Sequence, residues 1–381
     1  MRPDMSDVIV VGGGVIGTAV AWRAAANGQR VTLVDPGADS DKASLVAAGM
    51  LGPVSESVFG EENLLNLNLL AVERFPSFNA DLERAAGDVT GLRTEGTLSV
   101  AYDRGDLAAL RRLTDFRHSI GLRAEALDGP QCRKLEPFLA AGVHGGVLAP
   151  GDLSVDNRRY TRALRAAAGR AGVTTVTGTV TAIADGAAGL AADLVTVTLA
   201  TGEVITARSV VVAAGWGTSC IAGLPESVRK AIRPVKGQIL RLRHPGNLPP
   251  VTTHTIRALV QGRDVYLVPR ADGELVVGAT QEERDDTDAT AGAVHDLLRD
   301  AMTAVPAVSE LTLAEISVGL RPGTVDNGPV VGAVSERLIV AAGHFRNGIL
   351  LSAATADAVA ALLRGDEPAK QWAPFTPGRL S

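Results

Sequence analysis

Val8-Ile-Val-Val-Gly12-Gly13-Gly14-Val15-Ile16-Gly17 runs into an alanine-rich stretch to about Ala26, and a second apolar run, Val31-Thr-Leu-Val34, closes on Asp35. A short β-branched run, Gly-x-Gly-x-x-Gly at positions 12, 14 and 17, a helix from about Thr18 and an acid after the next strand form a βαβ unit with a dinucleotide fingerprint. Gly12 permits the tight strand-to-helix turn, Gly14 lets the backbone approach a pyrophosphate, and Gly17 lets the helix pack against the sheet. The helix N-terminus presents unpaired N–H groups and the positive end of its dipole to phosphate. Asp35 is placed to accept hydrogen bonds from a ribose. Among 42 glycines an isolated Gly-x-Gly-x-x-Gly would say little; flanked by both strands and the acid, it says dinucleotide.

A chain of 381 residues that is 46% hydrophobic and 21% charged supports a sizeable core and two domains, one of them possible as an insertion in the other. The net charge of −5 offers no attraction to nucleic acid or to an anionic membrane surface. The excess of 32 Arg over 5 Lys, with abundant Ala, reads as genome composition. Cys132 and Cys220 are the only cysteines, which suits a reducing cytosol and provides neither a disulfide framework nor a thiolate site. The six histidines, at 118, 144, 244, 254, 295 and 344, have no metal-ligand spacing, and no metal is expected. The apolar stretch Val8–Ala21 faintly imitates a signal peptide, but Asp4 and Asp7 precede it and it is the fingerprint itself. Met5 is a candidate start, and the expected location is cytoplasmic.

Further along, residues 38–60 read as a loop, 61–86 as one long helix, Gly96–Val100 as a strand, and 105–120 and 128–135 as helices. A helix is expected over Arg158–Ala171 and strands over Val173–Val180, Leu194–Leu199 and Ser209–Gly215, with a hairpin turn at Thr201-Gly202-Glu203. Gln238–Arg243, Val265–Pro269, Glu274–Ala279, Leu311–Leu320 and Leu338–Ala342 read as strands. Ala289–Val305 and Ser352–Leu363 read as helices. Parallel βαβ signals lie at the start, near 160–215 and at the end; antiparallel signals fill 92–150 and 225–320. The expected architecture is α/β: a discontinuous Rossmann-type domain (5–90, 153–222 and 318–375) with an inserted antiparallel-sheet domain (91–152 and 223–317).

Several stretches together resemble one family, the flavin-dependent amine oxidases of the D-amino acid oxidase type, and within it the glycine oxidases of thiamine biosynthesis. They are the fingerprint with Asp35, Ala47-Ala48-Gly49-Met50-Leu51, Arg233-Pro-Val-Lys-Gly-Gln238 and Tyr266-Leu-Val-Pro-Arg270. They continue with Leu275-Val-Val-Gly-Ala-Thr280, Gly319-Leu-Arg-Pro-Gly323 and Gly343-His-Phe-Arg-Asn-Gly-Ile349. The resemblance spans nearly the whole chain and implies FAD rather than NAD. It places Val15 and Ile16 at the pyrophosphate, Asp35 and Pro36 at the adenosine ribose, and Val180 at the adenine. Ala43, Ser44, Ala48, Gly49 and Met50 would lie beside the ribityl chain and flavin. His344, Phe345, Arg346, Asn347, Gly348, Ile349 and Leu350 would pass along the isoalloxazine and offer it N–H donors. Residues 36–60 contain no His or Cys to attach flavin, so the FAD is expected to be noncovalent.

The implied chemistry is oxidative deamination of glycine, sarcosine or a small D-amino acid. Hydride would pass from Cα to flavin N5, the imine would hydrolyse to the 2-oxo acid and ammonia, and oxygen would become hydrogen peroxide. Orientation and electrostatics supply such catalysis without an obligatory acid or base. By the resemblance Arg321 holds the substrate carboxylate in a bidentate fork, Tyr266 donates to the same carboxylate, Arg346 offers the amine a backbone carbonyl or screens the pocket with its side chain, and Gly52 offers the amine a second backbone carbonyl. Met50 and Gln281 line the side-chain pocket. Gln281 and Asp264 depart from the family's methionine and histidine and leave substrate preference open. Lys236 reads as structural or as an aid to oxygen reduction, and His344 as packing or as a base. The implied partners are a small amino acid, oxygen, a thiazole synthase receiving the product and further copies of the chain, with no nucleic acid or membrane. The main alternative is an FAD-dependent D-amino acid dehydrogenase that passes electrons to an acceptor other than oxygen. A flavoprotein without turnover is a more distant one.

Overall fold

The computed structural model describes residues 6–37, 42–186, 194–244 and 250–380. Met5, residues 38–41 of the expected loop, and residues 187–193 of the turn-rich segment lie outside them. Two large sheets organise the chain. The first has the order Val330–Ala333, Leu338–Ala342, Val204–Val212, Ser6–Val11, Val31–Asp35, Thr174–Thr177. Its central strands pair in parallel. A parallel sheet covered on both faces needs continuous apolar strands rather than alternating ones, which is what Val8–Val11 supplies. Val8 and Val10 face a core shared with the helices Val15–Ala26, Glu62–Ala86, Asn157–Arg170 and Gly348–Arg364. Ile9 and Val11 point the other way, into a core with Val197, Val212 and Val340.

The second sheet runs Thr312–Gly323, Arg233–Arg243, Glu274–Gly278, Arg263–Pro269, Thr255–Val260, Thr97–Ala101, Gly145–Ala149, Glu125–Asp128. It is antiparallel except where Thr255–Val260 meets Thr97–Ala101. Side chains alternate across it. Leu240, Leu242, Leu267 and Val277 pack with Leu297 and Ala301 of the helix Ala291–Ala304 on one face. Ile239, Val268 and Val276 on the other face meet Val46 and Ala48 from the first unit.

Three arginines clasp the segment between the two sheets through its peptide carbonyls. The buried Arg270 donates to the carbonyls of Ala48 at 2.5 Å and Val155 at 3.0 Å. Arg241, also buried, pairs with Glu274 at 2.5 Å and reaches the Leu45 carbonyl at 3.3 Å. Arg158 donates to that same carbonyl at 3.2 Å and forms a two-pronged pair with Glu315 at 2.5 and 2.9 Å.

The periodic readings correspond closely to what forms: the long helix is Glu62–Ala86, and Asp128 and Gln131 close a reciprocal capping box at the start of Gly129–Leu135. Other boundaries move. Val173–Val180 is not one strand; it breaks at Gly178, so that Thr174–Thr177 joins the first sheet while Val180–Asp185 turns into a hairpin with Val195–Leu199. The last helix begins at Gly348, four residues before the expected Ser352, taking up residues read as a cofactor loop. Thr312–Gly323 runs unbroken through residue 318. Thr255–Val260 and Val330–Ala333 were not anticipated as strands.

Candidate cofactor and substrate site

A cavity of about 490 Å³ lies at the carboxyl end of the strand Ser6–Val11 and extends to the second sheet. The glycines at its origin do separate jobs. Gly12 adopts φ +106°, and a Cβ there would stand 2.4 Å from the Ala213 carbonyl oxygen. A Cβ at Gly17 would come within 1.8 Å of the Gly12 carbonyl oxygen, so Gly17 serves the turn and does not line the cavity. Gly14 differs. Its φ is −75°, and a Cβ would meet only Ser44 Oγ, at 3.4 Å. Nothing in the chain itself requires a glycine there, so the missing methyl leaves room in the cavity for a ligand's phosphates. The helix Val15–Ala26 starts at this point, where Val15 N donates to Ser44 Oγ at 2.9 Å.

Asp35 lines the same end, with its carboxylate engaged by the chain. It accepts from Gly13 N at 2.6 Å, Gly37 N at 2.9 Å and Lys42 Nζ at 2.6 Å. The acid thus braces the glycine turn as well as facing the space beside Pro36. Val180, Ala43 and Ser44 line the cavity near it, and Ala48, Gly49 and Met50 line its middle. From the C-terminal motif His344, Phe345, Arg346, Gly348 and Ile349 line the wall. Asn347 is buried and does not, and Leu350 is part of the core. The start of Gly348–Arg364 therefore adds a second helix N-terminus to the cavity wall. His344 is buried, bonded through Nε2 to Thr355 Oγ1 at 3.0 Å, and burial pushes its pKa down to about 3. That leaves it a neutral packing group, not a base.

At the far end Arg321 and Tyr266 come together. Arg321 stands half-buried near the end of Thr312–Gly323, its Nη1 donating to the Thr280 carbonyl at 3.1 Å. Tyr266 lines the same end of the cavity, where the charge of the guanidinium acts on its hydroxyl. Burial lowers the Arg321 pKa, opposed by the neighbouring Tyr266, and burial raises that of Tyr266. Two glycines make the space. A Cβ at Gly278 would stand 2.4 Å from the Tyr266 hydroxyl, and one at Gly237 would stand 2.4 Å from Arg321 Nη1. Arg346 is exposed, with its guanidinium carbon 5.2 Å from the Phe345 ring centre, and its charge reaches Arg321.

Three expected residues fall elsewhere. Gln281 is exposed and outside the cavity lining, in the segment that follows the strand Glu274–Gly278. Gly52 is buried behind the wall, and its carbonyl accepts from Glu56 N at 3.0 Å. Lys236, fully buried, points opposite to Gly237 because strand neighbours alternate, and it pairs with Asp286. Glu56 was missed by sequence reasoning. It lines the cavity beside Tyr266 and Arg321 and accepts from Arg257 at 2.8 Å. It sits in a loop, and nothing in its local sequence marks it.

The model of the family described as "FAD dependent oxidoreductase" matches residues 7–362. The chain belongs to this family. Among curated relatives this FAD-dependent oxidoreductase is 34% identical to a glycine oxidase of Geobacillus kaustophilus, covering 97% of this chain and 96% of that one. It is 33% identical to the bifunctional protein ThiO/ThiG of Synechocystis, covering 98% of this chain but only 54% of the relative, so it spans about half that protein's length. The crystal structure of the Geobacillus kaustophilus glycine oxidase superposes with a TM-score of 0.88 at 32% identity over 98% of both chains. An iminodiacetate oxidase from Chelativorans shares the fold, with a TM-score of 0.82 at 23% identity. FAD is the cofactor of this oxidoreductase, and the open space at Gly14 fits it.

Proposed function

We propose that this FAD-dependent oxidoreductase oxidises the C–N bond of glycine, and of sarcosine or small D-amino acids, releasing the 2-oxo acid, hydrogen peroxide and the amine, which is ammonia from a primary amino acid and methylamine from sarcosine. The observation that carries this reading is the pairing of Arg321 with Tyr266 at the end of the cavity opposite the glycine turn. A planar guanidinium next to a hydroxyl, both withdrawn from solvent, is a receptor for one small carboxylate. When bound, FAD supplies the two-electron acceptor. The chain's own residues bind and orient. Gly12, Gly14, Val15, Ile16, Asp35 and Pro36, with Val180, hold the adenosine and pyrophosphate end. Ala43, Ser44, Ala48, Gly49, Met50, His344, Phe345, Arg346, Gly348 and Ile349 face the remainder. Residues 36–60 contain no His or Cys to attach the flavin, which supports noncovalent binding. Similarity to glycine oxidases over nearly the full chain supports the substrate.

The bifunctional relative supports a further step, transfer of the product to a thiazole synthase for thiamine biosynthesis. A cytoplasmic location and a homo-oligomer complete the reading; among the described residues no helix is long and apolar enough to cross a membrane. The deciding experiment is anaerobic mixing of the holoenzyme with glycine, sarcosine, D-alanine and D-proline, followed by air. Loss of the flavin's visible absorbance with glycine, then fast recovery with peroxide, is the expected result. Loss without recovery would identify a dehydrogenase, and no loss with any amine would overturn the amino acid assignment.

A further inference from the structure

The loop that carries Glu56 is buried and firmly held. Asp152, fully buried, accepts from Val54 N and Ser55 N, each at 3.1 Å. Arg117, 2% exposed, donates to the Ser55 carbonyl at 2.8 Å and to Ser57 Oγ at 3.1 Å. Two buried charges therefore fix a short turn whose cavity-facing charged side chain is Glu56. Its carboxylate is 15% exposed, and Arg257 donates to it at 2.8 Å. Arg257 in turn lies directly across the sheet from Tyr266 in the strand register. The negative charge of Glu56 is felt by both members of the carboxylate receptor: it opposes the burial that depresses Arg321 and adds to the burial that raises Tyr266.

We infer that Glu56 is a specificity-determining residue that restricts the site to ligands with a single carboxylate. Arg321 takes the first carboxylate; this part rests on the function proposed above. A second anionic group that reaches the Glu56 side of the cavity meets a fixed carboxylate that repels it. Arg257 is the cation that would otherwise receive such a group, and Glu56 occupies it. Discrimination by a built-in repulsion, in addition to an attraction, is a general route to specificity. It requires that the repelling charge be held in place: Asp152 and Arg117 fix the backbone on either side of it, and Arg257 holds the carboxylate itself.

The test uses two inert ligands of nearly the same shape, diglycolate with two carboxylates and its mono-amide with one, titrated calorimetrically into the holoenzyme. Neither has an amine to oxidise, so binding is read without turnover. The native enzyme should favour the mono-amide by roughly tenfold or more, as expected when like charges meet in a partly dry site. Glu56→Gln should lower that ratio by roughly tenfold, Glu56→Asp should preserve most of it, and adding Arg257→Met to Glu56→Gln should abolish the gain in diglycolate affinity. A ratio unchanged within about twofold in Glu56→Gln, or no binding of either ligand to the native enzyme, would overturn the inference. Arg321→Met separates the two readings. If it abolishes both ligands while Glu56→Gln changes nothing, only the role of Glu56 fails; if both ligands still bind, the carboxylate receptor itself has been misassigned.

Discussion

A Cβ on Gly237 would stand 2.4 Å from Nη1 of Arg321. The two residues lie on adjacent antiparallel strands, and the guanidinium occupies the space a side chain at 237 would take. The substrate arginine is thus positioned by an absence, and Gly237→Ala should push the guanidinium out of place. Because displacements of about 1 Å in a binding group cost roughly 100-fold, kcat/KM for glycine should fall by about that factor. The flavin should remain bound, since Gly237 lies far from the glycine turn; steady-state kinetics and the flavin-to-protein ratio check both halves.

Arg321→Met should be more severe for substrates than for cofactor. Removing one partner of a desolvated charged pair costs about 2–5 kcal/mol, so kcat/KM should drop by roughly 30-fold to several thousand-fold. Arg321→Lys keeps the charge but not the fork and should recover only part of the loss. Titration of the holoenzyme with a simple carboxylate such as glycolate, followed through the flavin spectrum, reads the same interaction without turnover.

Gly14→Ala separates cofactor binding from folding. The backbone at Gly14 is unstrained and a methyl meets no atom closer than 3.4 Å, so the apoprotein should melt close to the native protein. The methyl would fill the space left for phosphate, and FAD affinity should fall by roughly tenfold or more. Gly12→Ala, which faces a 2.4 Å clash and a positive φ, should instead damage the fold, and thermal melts with and without FAD distinguish the two.

How far the sequence could be read follows the range of the interactions involved. Gly12, Gly14, Gly17 and Asp35 were legible because a local turn demands glycine at fixed spacing. Arg321 was legible because it stands in Gly319-Leu-Arg-Pro-Gly323, one of the motifs that carry the resemblance. Glu56 did not, because its position depends on Asp152, Arg117 and Arg257, which lie far away in the chain. The split at Gly178 was hidden for a similar reason. Thr174–Thr177 and Val180–Asp185 have the same β-branched pattern, and only their different partners separate them. Gln281 was assigned to the pocket by similarity of position, yet it is exposed and does not line the cavity.

His344 provides a pH prediction. Its pKa is about 3 in the folded protein against 6.5 for an ordinary histidine. The unfolded chain therefore takes up a proton as pH falls through 6.5, while the folded protein refuses it until about 3. Stability contributed by this group is complete above 6.5 and is lost on acidification through that window. His344→Gln should remove the component, so the difference in Tm between native protein and variant should shift in favour of the variant as pH is lowered. The kcat–pH profile should carry no step that His344→Gln removes.

Where the arginine clasp grips residues 45–48 and Val155, it reads peptide groups and not side chains. Arg158, Arg241 and Arg270 meet the chain at the carbonyls of Leu45, Ala48 and Val155, which every amino acid provides. The hydrogen-bonded part of the mooring is therefore indifferent to the side chains of residues 45–48, while Val46 and Ala48 add apolar packing against the second sheet. Ala47, which lines the cavity between them, can be exchanged to remodel the wall without unfastening those hydrogen bonds.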